Sequence, residues 1–255
     1  MSFRVLISAF LIALSLTNIC SAADGKVELL EQLGKKIPLD LEFTDSDGSQ
    51  LQLKQLINQP TVLVPVYFNC RNVCNVMLGG LSAVLPDVKL TPAKDYNVIA
   101  FSFDPSETPA MAAHSKKTFL TAMQSPTFPP QAWRFLTGKQ ENILKLTDSL
   151  GYYFMKEKDD FLHPVAAVVV SADGTIIRYL IGQRFSAIDL SMAILEASEG
   201  RIGKPLQKAL QFCFSYDPEG RKYVFNLMRV SATVILLTLG SFLLFLILGG
   251  RKKKK

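Results

Sequence analysis

The chain has 255 residues, 49% hydrophobic and 20% charged, with a formal net charge of +6. Its length allows one large domain or one domain with appendages, and the two ends favour the second. Setting aside Arg4 and the five terminal cations leaves 22 basic and 22 acidic residues, a neutral balance in which nothing suggests a nucleic-acid surface.

Residues 1–22 carry a single charge, Arg4, then an apolar stretch at 5–16 and small residues around Cys20-Ser21-Ala22-Ala23. This is the layout of a secretory signal peptide. Lipidation at Cys20 would want small residues before it, and Asn18-Ile19 do not supply them. The folded domain is expected over 24–200. Alternating apolar residues across 37–53, around Asp45-Ser46-Asp47-Gly48, predict a hairpin. A short helix is expected at 49–57, ended by Asn58-Gln59-Pro60.

The run Thr61-Val62-Leu63-Val64-Pro65-Val66-Tyr67-Phe68 reads as a buried strand. Over 75–88, Val76, Met77, Leu78, Leu81, Val84 and Leu85 are spaced for a helix packed on a sheet. Residues 96–103 form a second buried strand, followed by a helix over 109–123 with Thr108 as N-cap and Pro109 at its first position. Beyond the Pro-rich loop 125–130 come a strand at 133–136, a helix at 139–150 and a small strand at 152–155. A hairpin of 165–171 with 175–181 turns at Ala172-Asp173-Gly174, and a helix at 186–199 closes the domain. Strands alternating with helices and a final hairpin predict an α/β sheet with helices on both faces, and with a cysteine pair at a strand-to-helix handover it resembles a thioredoxin-like sheet flanked by helices.

Gly203, Pro205, Pro218 and Gly220 punctuate 201–229, which reads as a juxtamembrane tether. Residues 230–250 are 21 residues without a charge, between Arg229 and the basic tail 251–255. At about 1.5 Å per residue they span roughly 30 Å, the thickness of a bilayer core, so a C-terminal transmembrane helix is expected. The positive-inside rule places the tail in the cytoplasm and the domain on the periplasmic or extracytoplasmic side of the inner membrane.

If Cys20 leaves with the signal peptide, Cys70, Cys74 and Cys213 remain in a compartment where disulfides form. An odd count implies a thiol that is free, metal-bound or intermolecular, and Cys213 is read as incidental. Cys70 and Cys74 stand where a strand hands over to a helix, the place where thioredoxin-like folds keep their chemistry. At i and i+4 on a helix face both sulfurs would point one way, and the helix N-terminus would favour both as thiolates. Two such thiolates can form a disulfide or ligate a soft metal.

His163, one of two histidines, precedes the strand that begins near Pro164, where this fold often places a cis proline. If the two strands are antiparallel neighbours, His163 meets the cysteines at one edge of the sheet. Two sulfurs and one nitrogen suit Cu(I), whereas structural Zn²⁺ would want a fourth ligand, and none is evident. The alternatives are a surface or capped histidine and a structural disulfide. His114 is expected to be solvated, Phe101, Phe103, Trp133 and Phe135 to be core, and Asp104 to be a turn or cap residue.

In order, Tyr67-Phe68-Asn69-Cys70-Arg71-Asn72-Val73-Cys74, Phe101-Ser102-Phe103-Asp104-Pro105-Ser106-Glu107-Thr108-Pro109, Leu136-Thr137-Gly138, and His163 before the strand leading to Ser171-Ala172-Asp173-Gly174 resemble the Sco/SenC family of membrane-tethered copper proteins. The resemblance covers roughly 37–200. It implies Cys70, Cys74 and His163 as copper ligands. The implied role is delivery of copper, or of reducing equivalents, to the binuclear copper centre of cytochrome c oxidase subunit II. The family usually has proline after each motif cysteine and often an acid between them, where this chain has Arg71, Asn75 and Asn72. That makes the site less negative, favouring thiolates and weakening the pull on a cation. Many members are held by an N-terminal helix, whereas this chain is expected to hold by its C-terminus. The leading expectation is a metallochaperone. Its main rival is a thiol–disulfide oxidoreductase working with Cys70 and Cys74 on that centre or another exported copper or thiol protein. For a peroxidase, the residues that would activate a peroxide are not identifiable.

Overall fold

The computed structural model describes residues 27–70, 72–158 and 160–203, and beyond them 214–217, 222–225, 231 and 235–242. The expected signal peptide, Cys20, Arg71, Cys213 and the basic tail lie outside the described residues. The strands are β1 Glu28–Leu29, β2 Glu42–Asp45, β3 Gln50–Gln52, β4 Thr61–Val66, β5 Asn97–Ser102, β6 Trp133–Thr137, β7 Tyr152–Tyr153, β8 Met155–Glu157, β9 Asp160–Leu162, β10 Ala166–Val170, β11 Ile176–Ile181, β12 Phe214–Asp217 and β13 Lys222–Phe225. The helices are α1 Leu53–Leu56, α2 Val73–Val84, α3 Pro109–Ala122, α4 Gln140–Ser149 and α5 Ala187–Ser198.

Seven strands form one mixed sheet in the order β11-β10-β4-β5-β6-β2-β3. β4, β5 and β6 are parallel. All six residues of β4 are buried, as an unbroken apolar run requires of a strand covered on both faces. Right-handed crossovers put α2 and α3 on one face of the sheet, where they touch, while α5 packs on β10 and β11. This is the expected α/β sheet flanked by helices.

The ladder between β10 and β4 is antiparallel and pairs Val168 with Leu63, Val169 with Val62 and Val170 with Thr61. It stops short of Pro65, which has no N–H to give to a ladder. Beyond that point the two chains lead separately into the segments that carry Cys70 and His163. Local chemistry fixes other elements. Thr108 Oγ1 accepts the Met111 N–H and Pro109 opens α3, as expected. A Cβ on Gly138 would stand 2.7 Å from the Phe43 ring, so the end of β6 approaches β2 only because that side chain is missing.

Several boundaries differ from expectation. Residues 50–52 complete the hairpin with β2, leaving a single helical turn at α1 that buries Leu53 and Leu56. α2 begins at Val73 and tightens into a 3-10 turn at Leu85–Asp87, around Pro86. Where one small strand was expected at 152–155, β7 pairs with β1, and β8 with β9 forms a separate hairpin. The 201–229 segment contains the β12–β13 hairpin. Among the described residues no peptide bond is cis, so His163–Pro164 takes the trans form that X–Pro bonds ordinarily prefer. Of the expected transmembrane segment only 231 and 235–242 are described, as helix. No helix among the described residues is long and apolar enough to cross a membrane.

Candidate functional site

After β4 the chain turns through Tyr67–Cys70, closed by the Cys70 N–H donating to the Tyr67 carbonyl at 3.3 Å. Cys70 therefore precedes α2, and only Cys74 lies in its first turn. This corrects the expectation of two cysteines on one helix face. The Cys70 sulfur instead accepts the backbone N–H groups of Asn72 and Cys74, each at 3.4 Å. It thus serves donors that a helix N-terminus leaves unpaired. Asn75 donates its side-chain amide to the Cys70 carbonyl at 2.5 Å and ties the turn to the helix.

His163 arrives from β9 and enters β10. Its Nε2 is 3.6 Å from the Cys74 sulfur, across 89 residues of sequence. Its Nδ1 is 2.7 Å from the Pro164 carbonyl oxygen and 2.9 Å from the Tyr152 hydroxyl, which itself donates to the same carbonyl at 2.6 Å. A carbonyl oxygen only accepts, so Nδ1 carries the hydrogen. In the neutral tautomer that carries this hydrogen, Nε2 presents a bare lone pair to Cys74. Phe103 packs against the imidazole at 5.1 Å between centroids and Tyr67 meets it edge-on at 6.1 Å. Cys70, Cys74 and His163 are all buried.

The two thiols are unlike, although the helix N-terminus was expected to favour both as thiolates. A hydrogen bond from the Cys74 thiol pulls the Cys70 thiol down to about 3 against the cost of burial, with help from the Asn72 N–H. Burial, and then the neighbouring Cys70 thiolate, push the Cys74 thiol up. Both sulfurs are unbonded.

Sequence reasoning passed over three contributors. Tyr152 orients His163. Tyr67 donates its hydroxyl to Asp160, linking the cysteine turn to the β8–β9 hairpin. Glu107 is buried behind the turn and accepts the N–H groups of Phe68 at 2.8 Å and Asn69 at 2.7 Å and the Ser102 hydroxyl at 2.6 Å. Burial lifts its carboxyl above the ordinary value while those three bonds oppose the rise. An acid in a turn sequence gives no hint of burial, so no sequence signal separated Glu107 from Asp104. Asp104 is the turn residue expected, accepting the Ser106 N–H and hydroxyl. His114 is exposed, and Phe101, Trp133 and Phe135 are core.

Among the described residues no three His, Cys, Asp or Glu side chains already form a metal-holding group. Cys70, Cys74 and His163 are neighbours held by backbone and aromatic contacts, two soft donors and one nitrogen with no carboxylate between them.

No curated protein sequence matches the chain. Among solved structures, a candidate electron transfer protein from Aquifex aeolicus VF5 aligns at 29% identity with a TM-score of 0.60, covering 69% of this chain and 99% of that one. ScoI of Arabidopsis thaliana, solved with copper bound, aligns at 20% identity with a TM-score of 0.52, covering 66% and 99%. BsSco, described as a member of the Sco family of cytochrome c oxidase assembly proteins with a disulfide switch, aligns at 22% identity and 0.52, covering 67% and 98%. The last two likenesses are of fold. The family model described as SCO1/SenC matches residues 31–198, well over half of the 255 residues, and the chain belongs to the SCO1/SenC family.

Proposed function

We propose that the chain is a membrane-anchored copper-binding assembly factor that delivers Cu(I) to the binuclear copper centre of cytochrome c oxidase subunit II. The observation that carries this reading is the presentation of His163: its Nδ1–H is tied to Pro164 and its Nε2 lone pair faces the Cys74 sulfur at 3.6 Å. A soft ion bonded to sulfur at about 2.3 Å and nitrogen at about 2.0 Å in a trigonal arrangement would hold those atoms about 3.7 Å apart. The spacing supports a shared ion, and Cys70 supplies the third donor. Cu(I) is cargo here. It meets the Cys70 thiolate, displaces the proton of Cys74 and takes His163 Nε2. It leaves as a partner's thiolates replace these donors one at a time.

Domain 24–200 sits outside the cytoplasm, held by 230–250 with the tail 251–255 inside. The uncharged run and its basic flank support this topology, as do the exposed Ile235, Leu236, Leu237, Leu239 and Phe242. The test is Cu(I) titration of the full chain in detergent against a competing chelator, with His163→Ala and Cys74→Ser beside wild type. Binding by wild type no tighter than by Cys74→Ser refutes the copper reading.

The unlike thiols favour a second reading, thiol–disulfide exchange. The Cys70 thiolate attacks a partner disulfide and expels one partner thiolate. Cys74, after losing its proton, attacks the Cys70 sulfur of the mixed disulfide and expels the other. Two electrons pass to the partner, and Cys70–Cys74 becomes the disulfide. Disulfide reduction that needs both cysteines and is indifferent to His163→Ala would select this reading.

A further inference from the structure

The geometry points to Glu107 as the positioning residue of the cysteine turn. The inference deepens the copper reading and rests on it for one of its two measurements. Glu107 ends the loop after β5, immediately before the N-cap Thr108 of α3. Its side chain turns away from solvent and under the segment that leads to Cys70. Oε2 receives the Phe68 N–H and the Ser102 hydroxyl, and Oε1 receives the Asn69 N–H. Ser102 is oriented for this because its own oxygen accepts the Asp104 N–H at 3.0 Å. All three partners donate, which is the coordination a carboxylate satisfies and a neutral amide does not.

Phe68 and Asn69 are the two residues immediately before Cys70, past the end of β4, where no strand pairing holds their backbone. Their N–H groups have Glu107 as the fixed acceptor. The sulfur of Cys70 lies at the end of this short lever, against α2 on one side and beside His163 on the other. Charge-assisted bonds to two successive N–H groups fix both the height and the rotation of the turn. Glu107 has its hydrogen bonds with the turn backbone and Ser102, so it positions Cys70 through the backbone, while its charge also helps push the Cys74 thiol up.

The test compares full-length Glu107→Gln and Glu107→Asp with wild type in detergent. One measurement is Cu(I) affinity by chelator competition. The other is the alkylation rate of Cys70 by iodoacetamide, mapped by mass spectrometry on the copper-free protein. Glutamine has the same shape but turns an NH₂ toward one of the donors and leaves it unpaired. Cu(I) affinity is expected to fall about tenfold and alkylation of the buried Cys70 to rise about tenfold. Aspartate keeps both oxygens on a stem one methylene shorter and should fall between, a partial rescue.

Leu53→Ala thins the core at the β3 edge of the sheet, away from the turn, and should leave both readings near wild type. Glu107→Gln behaving as wild type in both measurements overturns the proposal. So does Leu53→Ala reproducing both changes, because the effect would then be general loosening. If Glu107→Gln does not fold, Glu107→Asp decides on the same two readings. If wild type itself binds no Cu(I), the copper reading fails and the alkylation rates still decide the role of Glu107.

Discussion

Replacing Tyr152 by phenylalanine isolates the contribution of one oxygen atom to the site. The ring stays, with its packing on Phe103 at 5.9 Å between centroids, and the hydroxyl that stands 2.9 Å from His163 Nδ1 is lost. The Pro164 carbonyl still receives the Nδ1 hydrogen at 2.7 Å, so the substitution leaves that hydrogen with a partner. The stability cost is then one net hydrogen bond, about 1 kcal/mol. For a chain of this size that lowers the melting temperature of the copper-free protein by about 2–4 °C. Loss of an outer partner typically weakens a metal–histidine bond 10- to 100-fold. Because the Pro164 anchor survives, the lower end applies, and Cu(I) affinity should drop about tenfold. Chelator competition and a thermal melt on the same preparation read both effects. Unchanged Cu(I) affinity in Tyr152→Phe, in an assay where His163→Ala loses binding, would show that Pro164 alone orients the ring and would refute this reasoning.

At neutral pH the depressed Cys70 is a thiolate and the raised Cys74 a thiol, so loading Cu(I) on both must release one proton. Apparent affinity should rise about tenfold per pH unit until the pH passes the Cys74 value. Titration calorimetry in buffers of different ionisation enthalpy counts the proton, and loading without release would show that Cys74 is already ionised. Gly138→Ala should cost about 1–3 kcal/mol by overpacking, because its Cβ would press on Phe43 at 2.7 Å. A melting temperature equal to wild type would mean that the Phe43 ring yields freely.

The central strands were legible because burial on both faces leaves a plain mark, an unbroken apolar run such as 61–66. The meeting of Cys74 with His163 was legible from the same source, since two such strands side by side bring their ends together. The β8–β9 hairpin left no mark. Its residues are mostly charged, and of β8 and β9 only Phe161 is buried. The placement of Cys70 outside the helix depends on where α2 starts, and Asn72, with its irregular backbone at φ −128° and ψ −109°, sets that start. The inequality of the thiols could not be read from spacing, because it comes from the hydrogen bond between the two sulfurs and from the cost of burying a charge on Cys74.

The separation of 89 positions between Cys74 and His163 also sets an order of events. The cysteine turn belongs to an early part of the chain and the imidazole to a late one, so no local fragment holds all three donors. During synthesis, which exposes the N-terminal part first, the thiols exist well before β10 is laid against β4. Three-donor capture of a metal ion is therefore a late step, and a chain that performs it has completed its central sheet.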